Sequence, residues 1–367
     1  MGKRLFCGLI SLCIMFFMSA KSEAKAYILM EMDSGRVLDE KNADQRLAIA
    51  STTKIMTCLL ALENSSLTDN VTASKNASGV PGTSIYLSVG ETLSMEDMLY
   101  GLMLRSGNDA AVAIAEHISG SSEEFAYLMN ARAQKLGADA YFTTPNGLDE
   151  GGNGASARAI TLITKEALKM EEFRKIVSTK KRTIPWADHE YERVLTNKNK
   201  LLSDYEGAIG VKTGYTKKAG RCLVFAAERE GMTLVGCVLN CADWFNEAEK
   251  ILDAGFQMYD RVVFHEEGEV VKTIFAGGKE IEIGCRETVQ APIKEGENVQ
   301  TEIRMLDLAL PVCEGQRAGT IHVIADGNEI ASFELVCMNT QKRPAFLSAL
   351  RRVIADWPIG RFFSLYY

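Results

Sequence analysis

Apolar and polar positions alternate on either side of Asp33-Ser34-Gly35, which predicts two strands, over 26–32 and 36–39, joined by a tight turn. The period then changes. From Ser51 onward Ile55, Met56, Leu59, Leu60 and Leu62 recur at helical spacing as far as Glu63. Further helices are predicted over 95–105, 110–118 and 122–136, and another over 159–170 beyond a turn at Thr144-Pro145-Asn146-Gly147. The β-prone segments 221–228 and 233–240 meet at Glu230-Gly231 as a second hairpin. Helices enclosed between an early and a late hairpin predict an α/β architecture of the α+β kind, an antiparallel sheet flanked by helices.

The pattern shifts near residue 260. Short alternating strands from 262 to 338 are broken by Gly277-Gly278, Glu295-Gly296, Glu314-Gly315 and Asp326-Gly327, which predicts a small all-β module. It carries no catalytic cluster and reads as a spacer or scaffold. In the last segment Phe346, Leu347, Leu350, Val353, Ile354 and Trp357 fall on one helical face, with Ser348, Arg351, Arg352 and Asp356 on the other. Pro358 ends that helix, and Phe362, Phe363, Tyr366 and Tyr367 extend it as an aromatic tail. Its charges speak against a membrane-spanning helix. An in-plane anchor at the membrane surface is favoured over a helix packed on its own β module. At the other end Lys3 and Arg4 precede an apolar run over 5–18 and a small-residue site at Ser22-Glu23-Ala24, the form of an export signal. The expected division is a signal over 1–24, a catalytic domain over 25–258, a β-rich domain over 259–341 and an anchor helix over 342–367.

A net charge of −7 and the lack of a basic patch interleaved with aromatics argue against a nucleic-acid partner. Of nine cysteines, Cys7 and Cys13 fall in the signal. The remaining Cys58, Cys222, Cys237, Cys241, Cys285, Cys313 and Cys337 are odd in number and lie in apolar segments, so they read as buried small hydrophobes without a disulfide framework. With four histidines, none near Cys237 and Cys241, no metal or other cofactor is expected.

Three short motifs then carry chemistry: Ser51-Thr52-Thr53-Lys54, Ser106-Gly107-Asn108 and Lys212-Thr213-Gly214. Each alone is weak, since Ser-x-x-Lys also occurs at Ser22/Lys25 and Ser178/Lys181 and Ser-x-Asn at Ser74/Asn76. Position separates them. Ser51 and Lys54 share a face at the start of a helix, whose positive end and free N–H groups favour an alkoxide and an oxyanion. A second cation such as Lys212 would lower the Lys54 pKa and suit it to act as a base. Ser106 and Asn108 sit between two helices, placed to relay a proton and to bind a peptide carbonyl. Lys212 and Thr213 follow an apolar strand and can hold a carboxylate, while Gly214 lets another backbone lie close.

The order of the three motifs is that of penicillin-binding proteins and class A β-lactamases. The runs 49–57, 104–111 and 210–216, with the Thr144-Pro145-Asn146-Gly147-Leu148-Asp149 loop, more closely resemble the low-molecular-mass penicillin-binding proteins that are D-alanyl-D-alanine carboxypeptidases. The resemblance covers nearly the whole mature chain. It implies a serine transpeptidase/β-lactamase-like fold and an exported enzyme on the outer face of the cytoplasmic membrane. That enzyme removes the terminal D-alanine of a peptidoglycan stem pentapeptide through an acyl-enzyme on Ser51, and β-lactams would acylate the same serine. Lys54 would be the base, Ser106 the relay, Asn108 an amide contact, and Lys212 and Thr213 the carboxylate site. The N–H groups of Ser51 and Tyr215, the residue after Gly214, would form the oxyanion hole. The chain departs from some members at Asn146, where they have histidine, and at Lys198, where they have arginine. A β-lactamase is the nearest rival, but no E-x-x-L-N run supplies its deacylating glutamate. A silent peptidoglycan or antibiotic sensor is the other, and the three intact motifs count against it.

Overall fold

The computed structural model describes residues 24–148, 151–187 and 189–343. Most of the segment expected to be an export signal and most of the proposed anchor lie outside the described residues. The chain opens with the hairpin β1 (Ala26–Glu31) and β2 (Val37–Lys41). A 3-10 turn over Ala50–Thr53 runs into α1 (Lys54–Asn64). A short ladder of β3 (Asn70–Thr72) and β4 (Thr92–Ser94) precedes α2 (Met95–Leu104), α3 (Asn108–Ser119) and α4 (Ser122–Lys135). Strands β5 (Ala140–Tyr141) and β6 (Gly154–Ala155) pair around the next loop, ahead of α5 (Ala157–Leu168) and α6 (Glu171–Ser178). After the hairpin β7 (Lys181–Ile184) and β8 (Arg193–Thr196) comes the single turn α7 (Leu201–Asp204). Three long strands then follow, β9 (Ala208–Thr216), β10 (Gly220–Arg229) and β11 (Met232–Leu239), and α8 (Trp244–Met258) closes the unit.

The main sheet is antiparallel with order β2-β1-β11-β10-β9, so the first and last hairpins of this unit meet at its centre. Strand alternation divides the side chains between two layers. Ile28, Met30, Val224, Ala226, Val235 and Cys237 pack with Ile55, Met56, Ile160 and Ile163 of α1 and α5. Leu29, Leu223, Phe225 and Leu234 pack with Ala248, Ile251 and Leu252 of α8. Strands buried on both faces lose the clean alternation of a half-exposed sheet, and every residue of β11 is buried.

The second unit is all β, with a five-stranded sheet and a pair of strands around Ile281, Ile283, Ile321, Val323, Phe333 and Leu335. The turn of the first hairpin holds it. Arg36 donates to the Glu297 carboxylate and, at 2.6 Å, to Pro292 O, and lies over the Tyr259 ring. Six of the seven cysteines among the described residues are buried, as expected, but Cys313 is exposed. It stands in the turn Cys313–Gln316, where the backbone leaves the apolar core.

Candidate active site

Ser51 lies in the 3-10 turn and Lys54 opens α1, so the helix starts three residues later than the apolar pattern suggests. The cause is local. Ile49 O accepts both the Thr52 N–H and the Thr52 hydroxyl, which tightens the turn, and Ala50 is held at φ 48°, outside the helical region. Lys54 Nζ then stands 3.1 Å from Ser51 Oγ, 2.7 Å from Asn108 Oδ1 and 2.5 Å from Asn146 O. The last two are carbonyl oxygens and can only accept. A neutral amine has two N–H groups for them and one lone pair, which is left to the Ser51 hydroxyl. Burial pushes the Lys54 pKa well down, and the charges of Lys212 and Lys198 push it further in the same direction.

The loop that supplies Asn146 O is pinned to α1 and to the turn before it. Thr57 Oγ1 donates to Pro145 O at 2.6 Å, and Asn153 Nδ2 donates to Thr53 Oγ1 at 3.1 Å. Gly147 takes φ 81° there, and a Cβ would fall 2.0 Å from Ala50 O, so only glycine fits. The Asn146 side chain accepts the Leu148 N–H at 2.8 Å. Its part in the site is thus played by the backbone, which any residue offers, and that makes the departure from histidine intelligible.

Ser106 and Asn108 enter from the α2–α3 connection. Ser106 is held at φ 64°, and its Oγ is buried with no hydrogen-bond partner among the described residues. A hydroxyl kept unpaired is costly unless something transient uses it. Asn108 Nδ2 donates to Pro81 O at 2.6 Å, which leaves its second N–H uncommitted. Sequence reading passed over Asp109, next in line. Its buried carboxylate accepts from Ser84 Oγ and from the N–H groups of Ile85 and Leu87, fixing the wall beside Asn108. Its place after the second motif was the signal available.

Lys212, Thr213 and Gly214 lie inside β9, the last strand of the sheet, rather than at a strand end. A Cβ at Gly214 would fall 3.0 Å from Ile49 O and from Ser51 N, so the strand runs directly against the Ser51 amide. Lys212 is buried, donates to Thr213 O at 3.0 Å, and has its pKa pushed down to about 7 by burial and then by Lys198. Tyr215 is exposed, and Thr213 is buried. Of the three decoy motifs two go elsewhere, Ser178 Oγ bonding Lys175 O at the end of α6 and Ser74 Oγ closing a turn with Asn76, while Ser22 of the third lies outside the described residues.

A serine, a desolvated lysine in contact with it and a strand laid along its amide define a serine acyl-transfer enzyme built on a layered α/β domain. The chain belongs to the D-alanyl-D-alanine carboxypeptidase family, whose sequence pattern matches residues 16–243. That of the penicillin-binding protein 5 C-terminal domain matches residues 259–343. The D-alanyl-D-alanine carboxypeptidase DacF of Bacillus subtilis is 36% identical over 91% of this chain and 90% of its own length. DacC of Escherichia coli is 33% identical over 88% of this chain and 86% of its own. Among solved structures, penicillin-binding protein 5 from Haemophilus influenzae aligns with a TM-score of 0.74 at 31% identity, over 87% of this chain and 98% of that one. The protein is a serine D-alanyl-D-alanine carboxypeptidase of the penicillin-binding class.

Proposed function

We propose that Ser51 Oγ attacks the carbonyl between the two terminal D-alanines of a stem pentapeptide while neutral Lys54 takes its proton. The observation that carries this reading is the Lys54 amine, fixed by two carbonyl acceptors and standing 3.1 Å from Ser51 Oγ. The oxyanion develops beside the Ser51 N–H, with the Tyr215 N–H as its second donor. Ser106 passes the proton from Lys54 to the departing D-alanine nitrogen, leaving an ester on Ser51. Water then attacks the ester, Lys54 takes its proton, and the tetrapeptide leaves as Ser51 Oγ is reprotonated. The free N–H of Asn108 holds the peptide carbonyl on the N-terminal side of the reacting bond. Lys212, as a cation, and Thr213 receive the terminal carboxylate, with Gly214 keeping the strand close. β-Lactams carry the same anion and acyl group and react at the same serine.

The substrate lies outside the cytoplasmic membrane, which fits the export signal over 1–24 and the amphipathic segment over 342–367 as an anchor facing the cell wall. The test is D-alanine release from a pentapeptide alongside labelled penicillin. Ser51→Ala is expected to abolish both. Labelling that survives the substitution would overturn the assignment, and rapid turnover of penicillin would favour the β-lactamase reading.

A further inference from the structure

Tyr86 is held where its own chemistry opposes it. Its φ is 62°, a region that disfavours any bulky side chain. The surroundings fix the backbone there. On either side the N–H groups of Ile85 and Leu87 donate to the buried Asp109 carboxylate, and the Tyr86 N–H donates to Ser84 Oγ at 2.7 Å. Buried Arg193, paired with Glu91 at 2.8 Å, approaches Tyr86 O at 3.5 Å. Yet the residue so firmly placed is 68% exposed. Its ring adds nothing to the core, and glycine or asparagine would adopt the same backbone with less strain. Packing does not account for a tyrosine.

Location does. The same segment bonds Asn108 twice, through Thr83 O to its N–H at 2.7 Å and through Pro81 O to its side chain. Three residues of extended chain span at most about 10–11 Å, so Tyr86 stands within that distance of Thr83, on the Asn108 wall. With the substrate carboxylate at Lys212, the chain leaving past Asn108 is the N-terminal part of the stem peptide.

We propose that Tyr86 is a specificity residue of this reaction, its ring packing against the stem-peptide residue immediately N-terminal to the D-alanyl-D-alanine unit. The inference rests on the assignment of Asn108 as the peptide contact. The strained backbone turns the ring out of the fold, and the Asp109 clamp fixes the segment that carries it.

The test compares a stem pentapeptide with an N-acetylated D-alanyl-D-alanine dipeptide. In Tyr86→Asn the ratio of kcat/KM for pentapeptide over dipeptide is expected to fall about five- to thirty-fold, mainly through KM. Tyr86→Phe should restore most of that ratio, and the thermal midpoint of Tyr86→Asn should equal or exceed that of the parent. A ratio unchanged in Tyr86→Asn, or a parallel loss on both peptides, would overturn the proposal. Failure of the Ser51 reading gives a different result, an unsubstituted protein that penicillin does not acylate.

Discussion

Lys54 and Lys212 are ionisable side chains buried in the fold, and both have lowered pKa values for that reason first. The unfolded chain therefore binds more protons than the folded one between about pH 7 and the free lysine value near 10.4. Stability contributed by these two groups rises with pH across that window, because the folded protein no longer carries buried charge that the unfolded chain can hydrate. Denaturant midpoints at pH 7 and 9 check this, and Lys212→Met should flatten the increase. The same groups shape catalysis. Acylation needs Lys54 neutral, while binding of the substrate carboxylate needs Lys212 charged, so kcat/KM is expected to be bell-shaped, with a falling limb near pH 7. Lys212→Arg, whose guanidinium stays protonated, should move that limb upward while lowering the maximum. Lys212→Ala should slow penicillin acylation roughly ten- to a hundred-fold, the loss of a charge-assisted bond.

At the level of elements the site is a junction of three pieces: the turn before α1, the α2–α3 connection and β9. Their spacing is set by close backbone contact. Gly214→Ala would press a methyl group against Ile49 O and Ser51 N at about 3.0 Å. Displacing β9 by a few tenths of an ångström leaves the core intact but misplaces the oxyanion donor. A fall in acylation of about 10²-fold with a small change in thermal midpoint is expected. The wall beside Asn108 depends on one carboxylate in a comparable way. Asp109→Ala strands the donors of Ser84, Ile85 and Leu87, and should cost at least about 1–3 kcal/mol of stability, read from denaturant unfolding.

Across the whole molecule, the catalytic and β units are joined at the first hairpin by Arg36, with Asp33 accepting from Gln290 Nε2 beside it. This contact lies in a different part of the fold from the candidate site residues. Arg36→Ala is expected to speed limited proteolysis between the units while D-alanine release from a short peptide stays the same. The β unit holds the chain as far as Arg343, whose Nε donates to Leu310 O at 2.8 Å. A protein lacking residues 344–367 should therefore fold, cleave pentapeptide and fail to sediment with anionic vesicles. If the full-length chain also fails to sediment, the proposed anchor is wrong.

The sequence by itself determined whatever depends on neighbours along the chain. Alternation over 26–32 and helical recurrence from Ile55 onward mark the elements, because burial of one face imposes their periods. The approach of Lys54 to Ser51 was legible for the same reason, three residues being about one turn. The tertiary structure decided what distant segments bring. Asn146 O reaches Lys54 across 92 positions, and β9 meets the Ser51 amide only after the sheet has placed it there. The left-handed backbone at Ala50, Ser106 and Tyr86 leaves no mark in residue type, since the surrounding bonds impose it against local preference. Cys313 sits in an apolar run yet is exposed, and Ser178 and Lys181 repeat the motif spacing but are split between α6 and β7. A pattern specifies which residues are available to one another. Packing of the sheet against its two helical layers determines which of them meet in the absence of water, and there a lysine can become a base.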